Sequence, residues 1–483
     1  MVYLGIDLGT SGLRALLVDA EGTPLGAAEH AYEARHPRSG WSEQDPQDWI
    51  AALERAVADL RAAHPDFAAL RGIGVAGHMH GATVLDESGA VIRPCILWND
   101  TRSHVEAAAL DAADGVRQIS GNIVFPGFTA PKLAWMRRHE PENFARIAKV
   151  LLPAAYLNFY LTGAYFADMS DSAGTSWLDT GTRDWSETLL SASGMRRDQM
   201  PELLEGCQPG ARLKSELAAR WGVSADVVVA AGAGDNAAAA CGIGAMNEGQ
   251  GFVSLGTSGV LLAARDGYRP AAETALHTFC HAVPGRWYQM GVMLSAADSL
   301  NWLARITGSA PRDLTAGLGE QLLAPGRVRF LPYLSGERTP HNDAEIRGSF
   351  TGLGAESSRD DLTRAVLEGV AFGLRDSLAA LEGTGLRLER LIAIGGGTGS
   401  RYWLNLIATA LNVQLELPSG GEFGAALGAA RLAMLAAGDG TPEEVMVPPT
   451  TREEILPNPA LLPDFDAGYA RFCNAYGAIR AVQ

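Results

Sequence analysis

Two aspartates, two copies of a hydroxyl-rich glycine turn and a run of three glycines are the residues of this chain best suited to handling a phosphate group. Leu8-Gly9-Thr10-Ser11-Gly12 recurs as Leu255-Gly256-Thr257-Ser258-Gly259. Each copy stands between strand-like runs, Val2 to Ile6 and Leu13 to Val18 in the first, Gly251 to Ser254 and Val260 to Ala263 in the second. Each therefore reads as a β-hairpin. Successive N–H groups at such a tip form a nest for anions, with the hydroxyls of Thr10, Ser11 and Thr257 beside them. One such hairpin is also an ordinary turn, whereas a pair in two halves suits a ligand clamped between domains. Asp7 ends the first strand. A carboxylate there can hold Mg²⁺, directly or through water, against nucleotide phosphates, although an Asp before a glycine turn is equally common turn chemistry.

The second aspartate, Asp235, follows the apolar strand Val227 to Ala230 and the turn Ala231-Gly232-Ala233-Gly234, and it precedes the helical run Asn236 to Ala240. It reads as a helix cap or as a general base, and both hold together because a helix N-terminus favours the ionised carboxylate. In a loose phosphoryl transfer the proton leaves late, so such a base chiefly orients the hydroxyl. The third segment, Gly395-Gly396-Gly397-Thr398-Gly399, lies between the strand Arg390 to Ile394 and a helix containing Tyr402 and Trp403. Bare backbone after a strand permits close approach of a planar ligand or a phosphate. It is not a dinucleotide fingerprint, because Ser400 occupies the last position of GxGxxG. The chain also lacks a GxxxxGK[ST] loop, since none of Lys132, Lys149 and Lys214 follows a glycine. His78 and His80, flanking Met79, lack carboxylate or cysteine neighbours for a metal, and contact with sugar hydroxyls is the better reading. His277 and His281 read as structural.

These segments need elements to hold them. In the first half an amphipathic helix is expected from about Gln47 to Ala63, with Trp49, Ile50, Leu53, Val57 and Leu60 at helical spacing. A buried strand Gly72 to Ala76 follows, then a hairpin from Ala82 through Asp86-Glu87-Ser88-Gly89 to Leu97. The second half repeats hairpin, helix (Asp361 to Leu381) and buried strand (Arg390 to Ile394). Mixed strands and helices in both halves give an α/β class, with a seam near Met246 to Gly249 dividing domains 1–246 and 247–483. At 483 residues two large domains are expected. The formal charge of −16, with three lysines, disfavours nucleic acid as a partner. No apolar run approaches the roughly 20 residues of a membrane span. The N-terminus has no leader pattern, and five scattered cysteines without a CxxC pair fit reduced thiols. The expectation is a soluble cytoplasmic protein.

Taken together these residues resemble the FGGY carbohydrate kinases of the actin/hexokinase-like superfamily. One family signature is similar to Gly127-Phe128-Thr129 through Lys132 and Trp135 to His139. The other runs from Gly348 to Leu353 and through Asp361-Leu362 to Ala365 and Glu368. The resemblance implies a duplicated actin/ribonuclease-H-like fold with an interdomain cleft. Trp41 to Pro46, Met79 to Thr83, Ile96 to Asp100, Asp168 to Asp171 and Leu331 to His341 resemble the bacterial xylulokinase subgroup. That implies transfer of the γ-phosphate of ATP, with Mg²⁺, to the 5-hydroxyl of D-xylulose. It further implies Asp235 as base and Asp7 at the metal–phosphate site. Met79, His80, Asn236, Trp98 and Asp100 would lie on the sugar side, and Thr10, Ser11, Gly256, Thr257, Gly396 and Gly397 along the ATP site. His78 stands where many of that subgroup carry Gln. Two alternatives stay open: a kinase for ribulose, gluconate or a polyol, and an actin-fold ATPase with no sugar. The sequence leaves the oligomeric state open, with a homodimer among the options.

Overall fold

Side chains alternate along a strand, so β1 (Val2–Leu8) has two faces to bury. In the computed structural model, which describes residues 1–419 and 424–483, both are covered. Val2, Leu4, Ile6 and Leu8 join a cluster with Trp49, Leu53, Val57 and Leu60 of α1 (Pro46–Ala63). Tyr3, on the other face, joins Ala426, Ala430 and Ala433 of a helix from the far end of the chain. Helix α1 starts where Asp45 accepts from Gln47 N with Pro46 in the first turn. It stops at His64, which precedes Pro65, where the α conformation is disfavoured. Each of its fully buried leucines contributes roughly 1.5–3 kcal/mol.

The duplication shows in the order of the central strands. Strand β1 pairs antiparallel with β2 (Gly12–Val18), which pairs antiparallel with β3 (Pro24–Ala31). On its other side β1 runs parallel to β4 (Leu70–Gly77), and β4 parallel to β5 (Val228–Ala230). In the second half β6 (Gly251–Leu255), β7 (Gly259–Arg265) and β8 (Trp287–Met293) form the antiparallel trio. Strands β9 (Arg390–Ile394) and β10 (Gln414–Pro418) run parallel beyond β6. Each sheet has seven strands. This is the duplicated actin/ribonuclease-H-like arrangement. Other helices that matter below are α2 (Thr129–His139), α3 (Asp235–Gly242), α4 (Arg359–Gly383), α5 (Arg401–Leu411) and α6 (Ala425–Ala436). Among the described residues no helix is long and apolar enough to cross a membrane.

One predicted hairpin is different. Thr83–Leu85 pairs with Lys149–Leu151, and Cys95–Ile96 pairs with Glu43–Gln44, leaving single bridges between residues 82 and 96 and between 85 and 91. The turn at Asp86 to Gly89 is present. Because Thr83, Val84 and Leu85 are all buried, burial on both faces rather than proximity in sequence selects their partner.

Helix α6 belongs to the second half yet lies on the first sheet. A Cβ on Gly5 would come 1.8 Å from the Ala426 carbonyl oxygen, and one on Gly74 1.9 Å from that of Ala429. Glycine there is what lets helix and sheet touch. Helix α6 also crosses α3, where a Cβ on Gly428 would come 1.8 Å from the Ala238 oxygen. Arg431 fastens the crossing by donating to the carbonyls of Cys241 (2.8 Å) and Gly242 (3.0 Å), the open end of α3. Residues 243–250 then lead into the second sheet.

Candidate active site

The register of the first sheet brings the two aspartates together. Asp7 on β1 aligns with Ala76 on β4, and the short strand Ala233–Gly234 aligns beyond it, Ala233 against Ala76 and Gly234 against Gly77. Asp7 and Asp235 therefore leave the same edge of the sheet, at the C-terminal ends of parallel strands on either side of β4, the usual ligand edge of such folds. Asp235 is the first residue of α3 rather than its cap, which is Gly234. Its Oδ1 accepts from Asn236 N (2.7 Å) and Asn236 Nδ2 (2.8 Å), so Asn236 fixes the carboxylate plane and Oδ2 stays outside that pair. Burial pushes Asp235 up to about 6 against these two bonds. Burial and the charge of Asp235 push Asp7 up to about 7, with Arg14 opposing.

The two Gly-Thr-Ser tips owe their shape to what happens to their carbonyls. Gly9 O accepts from the Tyr32 hydroxyl (2.6 Å), Thr10 O from Gln44 Nε2 (2.6 Å) and Ser11 O from Tyr32 N (3.2 Å). At the second tip Gly256 O accepts from Ala297 N (2.9 Å) and Thr257 O from Ala296 N (2.9 Å). In a trans peptide the N–H points opposite to the C=O. Tying these carbonyls back therefore turns the amides of Thr10 and Ser11, and of Thr257 and Ser258, away from the groups that hold the carbonyls. Ser11, Thr257 and Ser258 are exposed. The glycine loop abuts the second hairpin. A Cβ on Gly395 (φ 92) or Gly397 would strike Leu255, so these two glycines serve packing, whereas Gly396 and Gly399 face open space. A cavity of about 260 Å³ opens beside the loop, lined by Ile394, Gly395, Thr398, Leu417, Pro418 and Arg452.

On the opposite side Met79 and His80 follow β4 directly. His80 has φ 71, a left-handed conformation that costs a non-glycine residue about 1–2 kcal/mol. Its Nδ1 lies 2.6 Å from Gly174 O and its ring stacks on Phe128 at 4.4 Å. Burial, opposed by the Gly174 bond, holds its pKa down at about 3. The neutral ring must then donate from Nδ1 to the carbonyl, which leaves Nε2 as an acceptor for a hydroxyl. Met79 fits against Gly234 and Gly174, either of which would clash with it if it carried a Cβ, and the Tyr288 hydroxyl lies 3.8 Å from its sulfur. Trp98 is 44% exposed, and its Nε1 donates to Thr10 Oγ1 at 2.9 Å, joining the segment around Trp98 to the first tip. The expectation for Asp100 gives way to a scaffold role. It is 1% exposed and accepts from Arg102 Nη2 (2.6 Å) and Ser42 N (2.6 Å), which braces the turn behind Trp98. His78 does not converge with His80. It is buried edge-on to Trp49 at 5.6 Å, and no group of three metal-ligating side chains occurs among the described residues.

Asp171 entered the sequence reading only through subgroup resemblance, with no role of its own. It is 1% exposed with neither carboxylate oxygen bonded among the described residues. Burial and the charges of Asp168 and Asp235 hold it well above the carboxylate range. Only the tertiary fold brings it near Asp235, so its local sequence carries no signal beyond that resemblance. For Mg²⁺, the site offers Asp7, an oxygen donor at the foot of the first tip, with the charge of Asp235 on one side and Arg14 opposing it. Magnesium is commonly held by one or two carboxylates, substrate phosphates and water, and Asp7 fits that mode.

The N-terminal domain model of the FGGY family of carbohydrate kinases matches residues 2–242, and the C-terminal domain model matches residues 251–437. The chain is 46% identical to the xylulose kinase of Escherichia coli (strain K12) over 458 residues, 94% of this chain and 92% of that protein. A "xyloylose kinase" from Brucella ovis has a TM-score of 0.99 at 57% identity, covering 100% of both chains. The xylulose kinase from Rhodospirillum rubrum has a TM-score of 0.92 at 29% identity, covering 100% of this chain and 99% of that one. With both domain models matched and a relative 46% identical over 94% of the chain, the chain belongs to the FGGY family of carbohydrate kinases.

Proposed function

We propose that this kinase transfers the γ-phosphoryl group of ATP to the 5-hydroxyl of D-xylulose. The observation that carries the reading is the wall formed by Asp235, Met79 and the neutral His80, placed on the same sheet edge as Asp7 and the first tip. The choice of acceptor is supported by the xylulose kinases of Escherichia coli and Klebsiella pneumoniae, at 46% and 45% identity. Nε2 of His80 accepts one sugar hydroxyl, and Met79 covers an apolar face of the chain. Asp235 aligns the 5-hydroxyl for attack. The new O–P bond forms as the bond from γ-phosphorus to the bridging oxygen breaks, ADP departs, and the hydroxyl proton passes to Asp235. The amides of both tips hold the phosphates, Gly396 gives the nucleotide close access, and Asp7 would hold Mg²⁺, which supplies neutralisation of phosphate charge. Five free cysteines and dependence on ATP support a cytoplasmic site of action.

The fold by itself leaves the acceptor open, since a gluconate kinase from Lactobacillus acidophilus shares it at TM-score 0.91 and 24% identity. The test is a coupled ADP-release assay over pentuloses, polyols and aldonates. D-Xylulose is expected to give the highest kcat/KM. Another acceptor exceeding it by about tenfold, worth roughly 1.4 kcal/mol of transition-state binding, overturns the assignment.

A further inference from the structure

Lysine is scarce in this chain, and one of its three copies is sealed inside it. Lys132, on α2, is 0% exposed. Among the described residues no carboxylate pairs with it. Its Nζ donates instead to two backbone carbonyls, His80 O at 2.7 Å and Gly127 O at 2.7 Å. Burying an ammonium is costly unless its hydrogen bonds are made, and a methionine of similar length would fill the same space without that penalty. What the lysine adds is the grip on those two carbonyls.

Both are telling positions. His80 is held at φ 71, and its carbonyl receives a second donor from the same helix, Thr129 Oγ1 at 3.2 Å. Phe128, the residue that caps α2, stacks on the His80 ring. The start of α2 therefore grips His80 by backbone and ring together. Gly127, the other acceptor, lies so close to Trp98 that a Cβ on it would come 2.0 Å from the Trp98 oxygen, and Trp98 reaches the first phosphate tip through Thr10.

We propose that Lys132 is a positioning residue for the acceptor: its Nζ holds the His80 backbone in the left-handed conformation that presents Nε2 to the sugar. The inference rests on the reading of His80 as a sugar contact. Lys132 touches neither substrate and acts on sugar affinity through His80.

The test is a pair of double-mutant cycles read as KM for D-xylulose and for ATP. The variants are Lys132→Met, Thr129→Val and His80→Ala, with each of the first two also combined with the third. Loss of the donor shared by two backbone carbonyls predicts that Lys132→Met raises KM for D-xylulose about 10- to 100-fold, with KM for ATP within about twofold. Thr129→Val, which removes the weaker donor and keeps the shape, gives a smaller rise and carries the cycle if the lysine variant does not fold. In the His80→Ala background both increments are expected to vanish. Increments that persist undiminished there, or a parallel rise in KM for ATP, overturn the role of Lys132 and leave the proposed reaction standing. An unchanged sugar KM in His80→Ala itself overturns both the sugar contact and the inference built on it.

Discussion

Replacing Asp235 by Asn separates its chemistry from its cost to the fold. Asparagine keeps the shape and an oxygen that can accept from Asn236 N and Nδ2, and it removes the charge. A positioned base is worth about 10²- to 10⁴-fold, so kcat is expected to fall by that amount. The same change should stabilise the protein. Burial raises Asp235 from 3.8 to about 6, so the folded state binds this proton more tightly than the unfolded state does. The favourable contribution is complete below about 3.8 and lost as pH rises through about 6. Above that pH the folded protein carries a buried charge at a cost of at most about 3 kcal/mol, from a shift of about two units. Thermal melts of Asp235→Asn and wild type at pH 8 and pH 5 are the assay, beside turnover at saturating substrates. The variant is expected to melt higher at pH 8, with the gap narrowing at pH 5. Near wild-type turnover would make Asp235 a helix-terminal residue and nothing more. A variant that melts lower at pH 8 would refute the electrostatic reasoning.

Asp7→Asn should shift the loss to the nucleotide side, appearing as a raised apparent Mg²⁺ requirement in titrations with Mg²⁺-ATP; an unchanged requirement would remove Asp7 from the metal–phosphate site. Binding of sugar with a non-hydrolysable ATP analogue should draw the two halves together and exclude water, giving a smaller radius of gyration by X-ray scattering; identical profiles would mean a preclosed cleft. Weak ATP hydrolysis without sugar is expected as well, since water can take the acceptor's place. Gly74→Ala puts a methyl 1.9 Å from the Ala429 oxygen, and overpacking of that kind should cost about 1–3 kcal/mol in a denaturation experiment; wild-type stability would show that α6 moves freely over the first sheet.

The duplication was legible from one repeated pentapeptide, because a phosphate tip needs glycine and hydroxyl residues at fixed places whatever surrounds it. The helix α1 and the strands β1, β4, β6 and β9 were legible because a buried strand or an amphipathic helix writes its period into the sequence. Strand β3 was not, since it is an edge strand whose residues alternate between exposed and half-buried and have little apolar pattern to show. The hairpin at 82–97 misled because its turn signal is real while the strand partner, Lys149–Leu151, comes from far along the chain. At the site, the residue types of Asp7, Asp235 and the glycine loop singled them out as candidates, yet nothing local indicated that Gly395 and Gly397 accommodate Leu255 while Gly396 stays open. Asp100 looked like a sugar contact until Arg102 and Ser42 were seen to occupy it. The grip of Lys132 on His80 depends on a contact across 52 residues of chain, which only the fold creates.

Phosphorus NMR of the purified protein with Mg²⁺-ATP and D-xylulose tests the proposed reaction most directly. One sugar phosphomonoester, coupled to the C5 protons of xylulose, is predicted to appear for each ADP formed. ATP turned over to ADP and inorganic phosphate, with D-xylulose left unmodified, would contradict the assignment and favour an actin-fold ATPase.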